Sequence, residues 1–198
     1  MKAINWKWAS YILLFLVAVI SWINWLVGEQ IFNIMFVVDS ISLSVVIISL
    51  IVTIFCAKLW TLKFFMKWLV RVPNMNGIWE GTLESTWIDP QTQQKLAPIP
   101  TELIIKQTLF HISCVMKTGE MRSSSINAGF NINPENQEFQ LIYTYMSIPN
   151  QNIQERSRIH YGTIIFNFDK NHDVSEISGN YWTGRNTGGI VTLKKKMD

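Results

Sequence analysis

The sequence predicts a membrane-anchored all-β protein, in which two N-terminal transmembrane helices precede an eight-stranded antiparallel up-and-down β-barrel. Two observations carry this prediction. Long apolar runs, Tyr11 to Val27 and Ile41 to Cys56, occupy the first third of the chain. After Pro73 the pattern changes to short alternating runs separated by Gly, Asn, Pro and Asp, which is typical of strands and turns. We therefore expect a membrane anchor over residues 1–72 and a ligand-sensing barrel over residues 73–198.

Each apolar run is long enough to cross a bilayer. A transmembrane helix needs about 20 mostly apolar residues, and both runs reach that length with their Trp-containing flanks, without Asp, Glu or Arg. The first run should stay in place as an anchor, because no small-residue cleavage pattern follows it. Lys and Arg residues lie outside the pair of runs, whereas the loop between them carries only Glu29 and Asp39. The positive-inside rule then predicts that both termini and the barrel are cytoplasmic.

Charge and cysteine content restrict the partners of the predicted barrel. Up to Val72 the chain has six Lys or Arg and two acidic residues, whereas the remainder has eleven basic and twelve acidic residues. A near-neutral domain lacks the dense basic stripe that a nucleic-acid polymer requires, so such a partner is not expected. The basic excess should instead meet anionic membrane lipid. Cys56 and Cys114 form neither a CxxC motif nor an evenly spaced framework, so no disulfide is expected.

Eight strands joined by short polar links are predicted in the soluble part. Short links favour antiparallel neighbours, and a sheet of this size must bury its apolar face as two packed sheets or as one closed barrel. The up-and-down order favours the barrel, which has room for side chains or one small ligand. The predicted strands are Gly77 to Trp87, Pro100 to Gln107, Leu109 to Lys117, Glu120 to Asn131, Glu138 to Ser147, Arg158 to Phe168, Val174 to Gly184 and Gly188 to Lys196.

Alternation along the strands assigns one set of side chains to the barrel interior. At one mouth we expect Tyr143 and Tyr145 of the fifth strand to meet Tyr181, Thr183 and Arg185 of the seventh. Aromatic rings stack on nucleobases with about 1 to 3 kcal/mol per base, and Arg pairs bidentately with phosphate. The pattern therefore favours a small anionic molecule that carries bases.

The sequence contains no recognisable catalytic or metal-binding motif. His111, His160 and His172 share no HxxxH or HExxH spacing, and each is interpreted as a surface or strand-packed imidazole. GxSxG and Walker motifs are absent. The glycines between Gly184 and Gly189 are interpreted as turn residues. We therefore expect a protein that is not an enzyme and that uses no metal or cofactor.

Three segments, together with the two-span anchor, resemble a known family. They are VPNMNGIWEG at 72–81, IKQT at 105–108 and GNYWTGRNTG at 179–188. The chain resembles the two-helix, β-barrel effectors of bacterial CBASS anti-phage systems, the CD-NTase-associated protein fifteen family. The resemblance implies a cytoplasmic barrel that binds a cyclic dinucleotide made by a partner CD-NTase. It also implies ligand-induced self-association of the helices and disruption of the bacterial inner membrane.

Candidate functional residues follow from the inward faces, the last hairpin and the second span. An arginine on an inward face must find a partner, because an unpaired buried charge is costly; for Arg185 a phosphate or the ring of Trp79 could serve. Small polar residues at i, i+4 spacing permit close helix approach in lipid, either between chains or within one chain. The candidate ligand-binding residues are Trp79, Tyr143, Tyr145, Tyr181, Thr183, Arg185 and Thr187. The candidate oligomerisation residues are Ser40, Ser44, Ser49 and Thr53.

Two other functions are compatible with the sequence. The first is a membrane-tethered lipocalin-like barrel that binds an apolar small molecule such as a fatty acid, since a Gly77-x-Trp79 pattern also opens lipocalins. In lipocalins that Trp packs against an Arg from the last strand. The second is a passive scaffold with a filled barrel. The volume and polarity of the barrel interior distinguish these hypotheses from a dinucleotide receptor.

Overall fold

The structure is a computed structural model that describes residues 3–27, 34–66, 68–90, 92–151, 157–169 and 174–196. The chain divides into two compact units, Lys2–Arg71 and Val72–Asp198. Predictions for Glu29, for His172 and for most of the short polar link between the sixth and seventh predicted strands fall outside the described residues. The side chains of Asp39 and Ser40 also lie outside them.

The N-terminal unit contains two long helices, α1 (Trp6–Val27) and α2 (Ile34–Ala57), followed by a short 3-10 helix at Leu59–Thr61. In α1 the stretch Trp6–Leu26 is 21 residues long and only 6 % buried, so it is long and apolar enough to cross a membrane. The apolar stretch of α2 that can be described is shorter, Ile41–Ala57. Within the described residues one helix therefore meets the length requirement of a span, and the second span stays a prediction.

The C-terminal unit is a closed antiparallel barrel with the strand order β1-β2-β3-β4-β5-β6-β7-β8. This confirms the predicted up-and-down architecture, and β8 returns to pair with β1. The strands are β1 Gly77–Ser85, β2 Ile99–Gln107, β3 Ile112–Thr118, β4 Met121–Asn133, β5 Glu138–Pro149, β6 His160–Asn167, β7 Glu176–Thr183 and β8 Gly188–Lys195.

The strand ends differ from the predicted ones by at most three residues, and β3 and β4 show identifiable departures. β3 begins at Ile112 rather than Leu109 because a turn precedes it, in which the Thr108 amide donates to the carbonyl of His111 at 2.8 Å. β4 contains a bulge, where the register with β5 shifts between Ser125 and Asn127. An extra residue on one strand of a pair reverses which side chains face inward beyond it.

Half of the barrel interior is a packed core. Trp79, Leu103 and Phe166 are fully buried there, together with large apolar side chains from several other strands. The segment just before β1 closes this end of the barrel, because the Trp79 indole donates to the carbonyl of Met75 at 3.0 Å. The Gln107 side chain accepts from the Met75 amide at 2.8 Å and donates to the carbonyl of Pro73 at 3.0 Å. The barrel therefore has one sealed end.

Candidate functional site

The other half of the barrel interior is a cavity of about 900 Å³. It lies where the odd-numbered strands end and the even-numbered strands begin. Small-molecule sites commonly occupy about 300 to 1,000 Å³, and ten of the 24 described lining residues are Ser, Thr, Glu, His or Arg. A smaller depression of about 260 Å³ is lined by parts of β4 and β5 and includes no charged side chain. The larger cavity is therefore the candidate ligand-binding site.

Two tyrosines form an aromatic wall of the cavity. Tyr145 and Tyr181 are 8 % and 9 % exposed, and both line the cavity. Their rings fit because two neighbouring positions are glycines. A Cβ at Gly162 would overlap the Tyr145 hydroxyl, and a Cβ at Gly189 would lie 2.8 Å from the Tyr181 ring.

Both tyrosine hydroxyls remain protonated near neutral pH. Burial and the nearby Tyr181 raise the pKa of Tyr145 to about 12, although Arg185 opposes this shift. Burial also raises the pKa of Tyr181, against the lowering effects of a hydrogen bond with Ser85 and of Arg185. The cavity wall therefore offers neutral aromatic rings with hydroxyl donors, which suits a ligand that carries both bases and hydrogen-bond acceptors.

The turn between β7 and β8 positions the arginine. The hydroxyls of Thr183 and Thr187 lie 2.7 Å apart, and the Arg185 amide donates to Thr183 Oγ1 at 3.2 Å. Asn186 adopts a left-handed φ of 57°, a conformation that Asn tolerates better than most residues. Of the glycines interpreted as turn residues, Gly184 lies in this turn, whereas Gly188 and Gly189 belong to β8. The turn places Arg185 among the residues that line the cavity.

The Arg185 side chain contacts two residues at the start of β6 and just before it. Its Nη1 donates to Ser157 Oγ at 2.9 Å, and its Nη2 lies 3.4 Å from His160 Nε2. The ring of Trp79 is paired elsewhere, since Lys195 Nζ lies 5.6 Å from its centroid. Of the two partners considered for Arg185, the tryptophan ring is therefore excluded by position.

His160 is a buried strand residue on the cavity wall. It is 8 % exposed, and its Nδ1 lies 3.1 Å from the carbonyl oxygen of Arg158. Burial lowers its pKa, a backbone hydrogen bond with Arg158 opposes this, and Arg185 lowers the pKa further. Among the residues that the structure describes, no cluster of three or more His, Cys, Asp or Glu could hold a metal ion.

The structure brings together five of the seven predicted ligand-binding residues. Tyr145, Tyr181, Thr183, Arg185 and Thr187 all line the cavity. The other two lie in the packed core. Trp79 is fully buried near the sealed end, and Tyr143 is 2 % exposed, with its ring 5.9 Å from that of Tyr145. These two residues lie in the core next to the cavity and do not line it.

Several lining residues were not among those predicted from the sequence. Ser157 and His160 hold Arg185, while Ser123 and Ser147 add hydroxyls. The connection between β1 and β2 also contributes lining residues, namely Trp87 and residues 96–98. The sequence did indicate an inward position for Trp87, because this residue continues the alternation of the first predicted strand.

The predicted oligomerisation residues fall into two groups along α2. Ser44 is buried within the N-terminal unit, whereas Ser49 and Thr53 are exposed. Thr53 Oγ1 donates to the carbonyl of Ser49 at 2.8 Å, which satisfies the hydroxyl inside its own helix. The prediction for the Ser40 side chain lies outside the described residues.

A closed barrel with one sealed end and a polar, aromatic cavity at the other defines a small-molecule receptor domain. Residues 70–195 match the family model described as Cap15, cyclic dinucleotide receptor domain. This match covers more than half of the chain, so the chain belongs to the Cap15 family of CBASS effectors, as the resemblance implied. The CD-NTase-associated protein 15 of Staphylococcus schleiferi is 28% identical over 188 residues, which cover 95% of this chain and 92% of that protein.

Proposed function

We propose that the barrel cavity binds a cyclic dinucleotide made by a partner CD-NTase, and that two N-terminal spans anchor the protein in the bacterial inner membrane. Binding then promotes oligomerisation of the helices and disruption of that membrane. The barrel and both termini lie in the cytoplasm, where the nucleotide is made. The observation that carries the binding step is the joint presence of Tyr145, Tyr181 and Arg185 on one cavity wall.

The lining matches the parts of a cyclic dinucleotide. Tyr145 and Tyr181 present rings for nucleobases, and stacking contributes about 1 to 3 kcal/mol per base. Arg185 supplies a guanidinium for phosphate. Thr183 and Thr187 add hydroxyls beside it. The protein thus provides stacking, charge and hydrogen bonding within one enclosed volume.

The lipocalin-like alternative requires a mostly apolar interior. Ten of the 24 described lining residues are Ser, Thr, Glu, His or Arg, and the charged Arg185 and Glu120 are among them. A fatty acid chain offers such groups no hydrogen-bond partner, and excluding water from them is costly. A passive scaffold with a filled barrel is disfavoured by the size of the cavity. The charged and hydroxyl groups of the lining therefore support the receptor.

A binding role is favoured over catalysis. Cys114 is fully buried in the core, and burial raises its pKa to about 12, which suppresses the reactive thiolate. His160, on the cavity wall, has Arg185 at its Nε2 rather than a nucleophile. We therefore assign the protein no enzymatic activity and no cofactor.

Oligomerisation follows from linkage between two equilibria. A ligand that binds the self-associated form more tightly than the monomer shifts the population toward that form by the difference in affinity. Ser49 and Thr53 remain exposed on α2, and small residues permit close helix approach in lipid. These two positions are the proposed contact between copies, while the buried Ser44 packs within one chain.

Thermal unfolding of the full-length protein in detergent micelles tests the binding step. We would add cyclic di-AMP, cyclic di-GMP, cyclic GMP-AMP and pyrimidine-containing cyclic dinucleotides, with a fatty acid as the comparison. A ligand at about 100 times its Kd should stabilise the protein by about 2.7 kcal/mol. Arg185→Ala should remove this stabilisation, whereas Arg122→Ala, on the exposed face of β4, should retain it. Stabilisation by the fatty acid alone would support the lipocalin-like alternative, and no stabilisation would support a scaffold.

A further inference from the structure

The described lining of the cavity carries fewer permanent positive charges than the proposed ligand has phosphates. A cyclic dinucleotide carries two phosphodiester anions. Among the described lining residues, Arg185 is the one permanent cation, and Glu120 contributes a carboxylate to the same lining. His160 is the remaining described lining residue that can become cationic within the ordinary pH range.

The histidine is already oriented toward the arginine. His160 Nδ1 lies 3.1 Å from the Arg158 carbonyl oxygen, so that nitrogen carries the proton and donates. The lone pair of Nε2 then faces Arg185 Nη2 at 3.4 Å. A guanidinium can only donate, so the neutral imidazole is the acceptor in the free protein. Ser157 and His160 are 7 % and 8 % exposed, so this cluster is built into the wall.

We propose that Ser157, His160 and Arg185 form a phosphate-binding subsite, and that His160 takes up one proton from solvent when phosphate binds. This inference rests on the proposed function. A phosphate oxygen at this cluster replaces His160 Nε2 as the acceptor for Arg185. Nε2 gains a proton, keeps it, and donates a hydrogen bond to a second phosphate oxygen. Nδ1 continues to donate a hydrogen bond to the Arg158 carbonyl. The bound anion is then held by two cations and the Ser157 hydroxyl.

Proton uptake makes the affinity depend on pH in a defined direction. In the free protein, burial keeps the pKa of His160 below its usual value, and an adjacent anion raises it in the complex. Between those two pKa values the affinity falls as pH rises, by a factor of ten for each unit that separates them. A guanidinium is cationic throughout the ordinary pH range, and burial, which raises the pKa of Tyr145 and Tyr181, keeps both tyrosines neutral through it. Glu120 is the other charged group on the cavity lining, so it needs its own control.

Titration calorimetry with the full-length protein in detergent micelles provides the test. Kd is measured at about pH 6 and about pH 8, on either side of the usual histidine pKa, for those members of the cyclic dinucleotide panel that bind. The wild-type protein should bind about tenfold more weakly at the higher pH. Buffers of different ionisation enthalpy should reveal net proton uptake on binding. His160→Gln should weaken binding at the lower pH and give a flat pH profile without proton uptake.

Two matched variants separate this effect from other titrations. His111→Gln changes an exposed histidine that is not on the cavity lining, and it should keep the wild-type profile. Glu120→Gln should keep the pH dependence as well. Equal wild-type affinity at both pH values, or an unchanged slope in His160→Gln, would overturn the inference and leave the proposed function standing. Failure of every cyclic dinucleotide to bind wild-type protein at either pH would overturn both.

Discussion

Lys195 Nζ of β8 lies 5.6 Å from the ring centroid of Trp79 in β1, and the two residues are direct partners in the β1–β8 ladder. The same Nζ donates to the carbonyl of Asn74 at 3.3 Å. One lysine therefore joins the first strand, the last strand and the segment before β1. The lipocalin pattern places an Arg on this ring, whereas here the cation is a lysine. The contact lies at the sealed end of the barrel.

Substitution of Trp79 or Lys195 should destabilise the barrel. Trp79→Ala deletes a fully buried indole and its bond to Met75, and we expect a loss of about 3 to 5 kcal/mol in the free energy of unfolding. Lys195→Met should cost about 0.5 to 1 kcal/mol through the cation–π contact. Denaturant unfolding measures both. Trp182→Ala is the control, since that ring is 48 % exposed, and a loss as large as that of Trp79→Ala would contradict this account.

The space beside Tyr145 can be tested with one methyl group. In Gly162→Ala the new Cβ would overlap the Tyr145 hydroxyl and lie 2.7 Å from the Trp182 carbonyl oxygen. Because backbone cannot yield as a side chain can, we expect cyclic dinucleotide affinity to fall about tenfold or more, which is about 1.4 kcal/mol. Gly184→Ala is matched to it, because that Cβ would lie 3.8 Å from its nearest neighbour, the Tyr161 carbonyl oxygen, and Gly184 is not among the described lining residues. Equal affinities for the two variants would mean that the Tyr145 position is not critical.

Stacking and hydroxyl contributions of Tyr181 can be separated. Tyr181→Leu removes the aromatic face, and a loss of about 1 to 3 kcal/mol per base corresponds to a Kd about 5- to 150-fold weaker. Tyr181→Phe keeps the ring and should lose much less affinity. Calorimetry with the tightest-binding cyclic dinucleotide compares the two. If the two variants bind alike, the ring does not stack on a base.

The exposed small residues of α2 should affect membrane disruption without affecting ligand binding. The double variant Ser49→Leu/Thr53→Leu places bulky side chains where close helix approach is proposed. We expect ligand-induced dye leakage from vesicles to fall while the Kd for cyclic dinucleotide is unchanged. Ser42→Leu, at another exposed position of α2, is the control. Unaltered leakage in the double variant would remove these positions from the mechanism.

The barrel was predictable because its signals are local. Alternation and turn residues reveal strands and short links one segment at a time, and antiparallel order follows from the links. β4 shows the limit of that reasoning. Met121 and Ser123 line the cavity, whereas Ala128 and Phe130 pack against the core beyond the bulge at Ser125/Asn127. A bulge reverses the inward parity, and alternation alone gives no sign of it.

The candidate site was predictable where it lies within one hairpin. Tyr181, Thr183 and Arg185 alternate along β7 into its turn, so their shared face can be read from spacing. Ser157 and His160 contact Arg185 across 28 and 25 residues of sequence. The register of β6 with β7, which pairs Gly162 with Thr183, sets His160 opposite Arg185. The sequence alone does not fix that register, so it gives no signal of this contact.

Pairing of β8 with β1 also sets when the barrel can close. Thr86 and Gly188 bond across 102 residues of sequence, and contacts so distant form late. A ribosome adds about 5 to 20 residues per second, so β1 emerges seconds before its partner. The cavity, which takes lining residues from β1 and from β8, is therefore incomplete until β8 has been synthesised.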